Sequence, residues 1–346
     1  MPDDSATPTH TATDVYVHYH FEIPELWISR DLSGTSHEAS HSGFKMRLSF
    51  PRDAGDFGIR ERDAWHDHRL VTGWIEDKRG QRLAEAVEMV RVTVECRLPF
   101  GADDVGDGRR PPDTVFDDGV EVLKAAANAA RGLLRDYLDL VRAEHGQFWL
   151  GLSGSRHRVT WLTEVREQKT DRWVKVGYND PLSVFTPSSD RALSLEDHGG
   201  VIAQASLGER PALHHALIAD ASYLVSRSDP PQRREALLLA AIACEVTIKQ
   251  TLRAACPMPA LPLLDWALDN PRDLSVQAAG LFDKTAKAVT GRSLREENRS
   301  VYKGVVTLFE DRNGVAHRGK EIADGVAQTH LKNAEAALEW TAGLVR

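Results

Sequence analysis

The sequence predicts two domains of different class, an N-terminal α+β domain built on an antiparallel sheet and then an all-α helical bundle. Three observations carry that expectation. Apolar and polar residues alternate with a period of two in several segments before residue 180. Beyond residue 208 that alternation is gone and apolar residues recur at helical spacing. Between the two, residues 180 to 208 hold Pro, Ser, Asp and Gly with weak periodicity, as linkers do. The 346 residues also exceed one average domain. The organisation expected is a small, polar tail at 1–13, an α+β domain over 14–200 and a bundle over 209–346.

The first strand is written at Val15, Val17, Tyr19, Phe21 and Ile23, which alternate with Tyr16, His18, His20 and Glu22 and read as a half-buried strand. Phe44, Met46, Leu48 and Phe50 repeat the pattern before Pro51 stops it. Val90, Val92, Val94, Cys96 and Leu98 repeat it again, and residues 101 to 114 read as an exposed loop. Asp118 and Glu121 make a capping pair for a helix with Val120, Leu123, Ala127, Ala130, Leu134, Leu138 and Val141 on one face, closed by Gly146. Strands at about 157–166 and 172–178 follow, with 168–171 as the hairpin connection. Five helices are expected beyond the boundary. They lie at 211–227, from the Asp229-Pro230-Pro231-Gln232 cap to about Ala255, from Asp273 to about Thr290, from the Ser293–Glu296 capping box to Gly319, and from Asp324 onward.

A net charge of −8 argues against a protein that coats nucleic acid by electrostatics alone. The acid excess lies in the first 200 residues, since residues 201–346 hold 18 Lys+Arg against 17 Asp+Glu. Contact with RNA would therefore come from a local pocket. Cys96, Cys244 and Cys256 sit in or beside apolar segments without metal-like spacing, which suits reduced, packed thiols. No apolar run is long enough to span a bilayer and the first 13 residues do not resemble a secretion signal, so a cytoplasmic location is expected and no membrane contact.

One stretch departs from its surroundings. Tyr302, Val305, Val306 and Phe309 form a helical stripe whose continuation lands on Arg312, Asn313, Ala316 and His317, so polar groups occupy an apolar face. Asn313 and His317, four apart, share that face, and the long stem of Arg312 reaches across to it. Arg-to-His pairs at similar spacing recur at Arg210–His215, Arg60–His66 and Arg30–His37, but none of these lies in an apolar stripe on the penultimate helix. A second misplaced charge stands on the helix before. Leu238, Ala241, Ile248 and Leu252 make a stripe whose missing position is Glu245, which either pairs with Arg312 or edges the stripe and pairs with Lys249 on its own helix.

The run Leu308-Phe309-Glu310-Asp311-Arg312-Asn313-Gly314-Val315-Ala316-His317, on the penultimate helix of an all-α domain, resembles the HEPN superfamily and is most similar to its Apea-like branch. The resemblance covers roughly the last 140 residues. It implies a metal-independent ribonuclease, without cofactor or metal site, whose catalytic residues are Arg312, Asn313 and His317, with Glu245 in support, and whose active site is composed across a homodimer. It also implies a role in antiphage defence or as a toxin, with RNA as substrate. The chemistry suits those residue types. A 2′-hydroxyl attacks its own phosphate without a metal if a base takes its proton and cations stabilise the charge that develops. Histidine, with a reference pKa of about 6.5, suits the proton transfer, and an arginine fork suits the phosphate. The alternative is a non-catalytic HEPN scaffold for dimerisation or binding, in which the trio satisfies one another and the helix end. A tyrosine that serves as a modification target two residues after the histidine in a related branch is Gly319 here.

The remaining candidates are weaker. His18 and His20 share a strand face, His66-Asp67-His68 follows a charged loop, and with His37 and His41 they form a possible metal set, against which an exposed polar face is the simpler reading. Gly151-Leu152-Ser153-Gly154-Ser155 lacks the lysine of a phosphate loop and reads as a turn. Six tryptophans of the first domain (Trp27, Trp65, Trp74, Trp149, Trp161 and Trp173) suit core or interface anchors. That domain is expected to sense or bind an unknown ligand or protein.

Overall fold

The computed structural model describes residues 12–51, 71–100, 113–150, 159–167, 173–176, 193–226, 231–269 and 278–345. The chain divides into two compact units with the boundary between Arg210 and Pro211, the first an antiparallel sheet with helices and the second helical.

The first unit holds strands β1 (Thr13–Ser29), β2 (Ser36–His41), β3 (Phe44–Ser49), β4 (Val71–Glu76) and β5 (Arg82–Leu98), helix α1 (Asp113–Glu144), strands β6 (Val159–Glu167) and β7 (Trp173–Val176), and helix α2 (Leu195–Ser206). The strand order is β2-β3-β5-β1-β6-β7, with β4 also on β5. All ladders are antiparallel. β5 is long enough to pair with β3 over one half and β4 over the other while β1 runs along its opposite edge. The β1–β5 register slips between Glu22 and Leu26, around Pro24, which has no N–H to give a ladder and so sits at the irregularity.

The odd face of β1 is apolar core, as its alternation predicts, with Val17, Phe21 and Ile23 buried. Tyr19 on that face donates to the Leu123 carbonyl of α1 at 3.0 Å, so the sheet and α1 share one core. The even face departs from expectation, for His18 and His20 are also buried. β1 lies between β5 and β6, and His18 closes on its cross-strand neighbour Thr93 at 2.8 Å. A central strand covered on both faces cannot be told from a half-buried one by alternation alone.

α2 falls in the stretch that composition marks as a linker. Ser194 caps it by accepting from the Asp197 amide at 3.1 Å, and Leu193 bonds to Trp27 and Ser29 of β1. His198, Val201, Ile202 and Ala205 bury against the first unit's core. Twelve residues with four inward positions give too short a period to stand out among Ser, Asp and Gly. The 168–171 connection, most of the 101–114 loop, residues 151–155, Trp65 and His66 to His68 lie outside the described residues.

The second unit holds α3 (Leu213–Ser226), α4 (Arg233–Ala255), α5 (Leu261–Asp269), α6 (Ala278–Gly280), a π turn Leu281–Thr285 continued by α7 (Ala286–Thr290), α8 (Leu294–Glu297), α9 (Arg299–Arg318) and α10 (Asp324–Ala342). α3, α4, α9 and α10 pack around Leu237, Ala240, Cys244, Ile248, Val305, Leu308, Ala334 and Ala337. α5 is absent from the expected helices. Gln232 is the residue that precedes α4, with no side-chain cap. Ser293 opens only the single turn α8, its hydroxyl donating instead to Asp283 at 2.7 Å. α9 begins at Asn298, which accepts from the Val301 amide at 3.1 Å. Ala323, not Asp324, precedes the last helix. Two glycines shape α9. Gly304 lets α10 approach, since a Cβ there would stand 2.3 Å from Cγ of Asn333, and Gly319 ends the helix at a left-handed φ of 63°. Among the described residues no helix is long and apolar enough to cross a membrane.

Candidate functional site

The site is built on the last two turns of α9. Val305, Leu308, Phe309 and Val315 are buried, so the inward face passes through Arg312, which is half-buried, and then turns toward Gly314 and Val315. The stripe expected through Asn313, Ala316 and His317 is therefore corrected, for these three are exposed. The chain after Gly319 explains the shift. Lys320 bonds its amide to the Gly314 carbonyl and Ile322 joins the bundle core, which covers the 314–315 side and leaves 313, 316 and 317 open.

A cavity of about 490 Å³ adjoins that open side, lined by Glu245 and Lys249 of α4, Leu268 of α5, Leu281 of the π turn, and Val306, Phe309, Glu310, Arg312 and Asn313 of α9. Of the three residues placed in a catalytic role, Arg312 and Asn313 line it together, and Nη1 of Arg312 donates to Oδ1 of Asn313 at 3.1 Å. His317 lies outside the lining, one turn further along the face of Asn313. The residue is exposed, and its ring has no hydrogen-bond partner among the described residues.

Glu245 resolves one open choice. Its Oε1 accepts from Nζ of Lys249, i+4 on the same helix, at 2.7 Å. Arg312 has no carboxylate within ion-pair distance among the described residues. The carboxylate is half-buried at the cavity wall, so water and Lys249 together remove the need for a buried partner. Glu245 and Arg312 line one cavity without an ion pair between them.

The residue before Arg312 is anchored in a way the sequence reading missed. Asp311 accepts from Nε2 of His330 on α10 at 3.0 Å and forms an ion pair with Lys320. Burial raises the Asp311 pKa, but the hydrogen bonds from Lys320 and His330 outweigh it and hold the carboxyl below its usual range. A signal was present, for His330 interrupts the inward stripe of Ala327, Leu331, Ala334 and Ala337 just as Arg312 interrupts that of α9.

Among the described histidines of the first unit, His37 and His198 pack on each other. The rings of His37 and His198 stand 4.1 Å apart, and Tyr137 is 2.9 Å from Nδ1 of the fully buried His198. Burial and His37 together lower the His198 pKa to about 3. Among the described residues no group of three or more His, Cys, Asp or Glu side chains is placed to hold a metal. Cys96, Cys244 and Cys256 are free thiols, and burial pushes the first two up to about 12. Compared with family models, with curated proteins and with solved structures, the chain matches none.

Proposed function

We propose that the protein is a metal-independent endoribonuclease of HEPN type, in which the second unit cuts RNA and the first controls it. The observation that carries this reading is the position of Arg312 and Asn313 on one cavity, with His317 exposed a turn away. His317 takes the proton of a 2′-hydroxyl, the 2′-oxygen attacks the adjacent phosphorus, and the 5′-oxygen leaves with a proton from the same histidine of a second protomer. Arg312 holds the phosphate through its fork and Asn313 orients the guanidinium. The open face of Asn313, Ala316 and His317 supports a homodimer paired there. A role in defence or as a toxin-like effector follows from the resemblance and belongs to the same proposal.

A second reading, a non-catalytic scaffold of the same fold, is favoured by the local Glu245–Lys249 pair and by a cavity lining that does not include His317. Analysis of RNA ends separates the two. Incubation with RNA in excess EDTA should yield 2′,3′-cyclic phosphate and 5′-hydroxyl ends from the wild type and none from Arg312→Ala. Intact RNA from both would leave the scaffold.

A further inference from the structure

The cavity offers more than a phosphate cradle. Glu245 and Lys249 stand side by side on its wall, Oε1 and Nζ 2.7 Å apart and both half-buried. Leu268, Leu281 and Phe309 give the same space apolar surface for the faces of a flat ring. Its volume of about 490 Å³ lies in the range that takes small ligands.

The order of polar groups along that wall selects among the RNA bases. A carboxylate only accepts, and its roughly four lone-pair sites let Glu245 keep Lys249 on Oε1 while accepting elsewhere. An ammonium only donates. Guanine presents O6, N1–H and the N2 amino group in sequence along one edge, one acceptor beside two donors. Lys249 to O6 and Glu245 to N1–H and N2–H pairs every group. Adenine and cytosine carry one amino donor beside a ring-nitrogen acceptor, and uracil carries one N–H between two carbonyls. Adenine and cytosine give that amino group to Glu245 and the ring nitrogen to Lys249 but have no second donor for the carboxylate, and uracil turns a carbonyl toward it, so guanine alone pairs both carboxylate oxygens and the ammonium together.

We infer that Glu245 and Lys249 form a guanine-selective subsite, and that the base it takes adjoins the phosphate held by Arg312. The placement next to a scissile phosphate rests on the nuclease reading, whereas guanine selection itself does not. Glu245 and Lys249 are specificity-determining residues here, not catalytic ones.

Calorimetric titration of the full chain with guanosine, adenosine, cytidine and uridine 5′-monophosphates tests it. A bidentate pair discriminates by roughly tenfold or more, so the guanosine nucleotide should bind at least about tenfold tighter than the other three. Glu245→Gln, which swaps one acceptor for a donor, should remove that preference with unchanged melting. Should that variant fail to fold, inosine 5′-monophosphate, which lacks only the N2 amino group, tests the same contact on the wild type and should bind no tighter than the adenosine nucleotide. Equal binding of the four nucleotides, no binding of any, a preference that survives in Glu245→Gln, or inosine 5′-monophosphate binding as tightly as the guanosine nucleotide overturns the subsite. Guanine preference without RNA cleavage leaves the subsite and overturns the nuclease. Cleavage without guanine preference does the reverse.

Discussion

Nε2 of the buried His330 and Oδ2 of Asp311 stand 3.0 Å apart, so the residue that precedes Arg312 ties α9 to α10. Removing the carboxylate leaves a buried imidazole without its partner, and Asp311→Ala should cost about 1–3 kcal/mol, read as a melting temperature several degrees lower. The pH dependence follows from the lowered pKa of Asp311. The ionised form is the one that is bonded, so its stabilisation is complete above the unfolded value of about 3.9 and is lost as pH falls through the lower folded value. Acid denaturation below about pH 4 should therefore be shallower in the variant than in the wild type.

His198 sets a second pH dependence, in the first unit. Its folded pKa of about 3 lies below the unfolded value of about 6.5, so the unfolded chain binds the extra proton between the two. Stability is complete above about pH 6.5 and declines toward pH 3, with a slope of at most about 1.4 kcal/mol per pH unit for one group. Denaturant titrations between pH 7 and 4 should show that slope in the wild type and a flatter one in His198→Gln.

Two glycines of α9 should respond oppositely to alanine. At Gly304 a Cβ would stand 2.3 Å from Cγ of Asn333, whereas at Gly314 the nearest atom is the flexible Cδ of Lys320 at 3.1 Å. Overpacking costs roughly 1–3 kcal/mol and the helix gains about 1 kcal/mol from Gly to Ala. Thermal melts should show Gly304→Ala destabilised and Gly314→Ala unchanged or slightly stabilised.

Arg210 ends the first unit by donating to two carboxylates of α1, Asp136 at 3.0 Å and Asp139 at 3.1 Å. Both aspartates are buried while Arg210 is about half exposed. Solvent reduces the effect, so Arg210→Ala should cost about 1–2 kcal/mol rather than the 3–5 of a fully buried pair. Both contacts run from the single nitrogen Nη1, so Arg210→Lys, whose ammonium can bridge the same two oxygens, should keep most of that stability.

Much of the secondary structure was legible because burial on one face imposes a period. Phe44, Met46 and Leu48 alternate because only one side of β3 is core, and the inward face of α4 repeats at helical spacing for the same reason. The failures share a physical cause. His18 and His20 look solvent-facing in sequence because burial on the second face of β1 leaves no mark when the buried residue is polar and paired. The stripe of α9 appears to run on to His317, yet the chain that returns after Gly319 decides which side of the last turn is covered, and that contact is not local. At the site, Arg312 and Asn313 could be singled out as charge and amide in an apolar period. Asp311 breaks no such period, and its anchor shows only through its partner His330, 19 residues further on, which interrupts the stripe of α10.

The proposed chemistry of His317 and Arg312 on RNA is open to direct measurement. The most direct measurement is the rate of RNA cleavage in EDTA by the wild type, Arg312→Ala and His317→Ala, with melting temperatures recorded on the same samples. His317 is exposed, so its loss should leave melting unchanged while cleavage falls by at least the 10²–10⁴-fold typical of a general acid–base group. Cleavage by His317→Ala as fast as by the wild type would contradict the account.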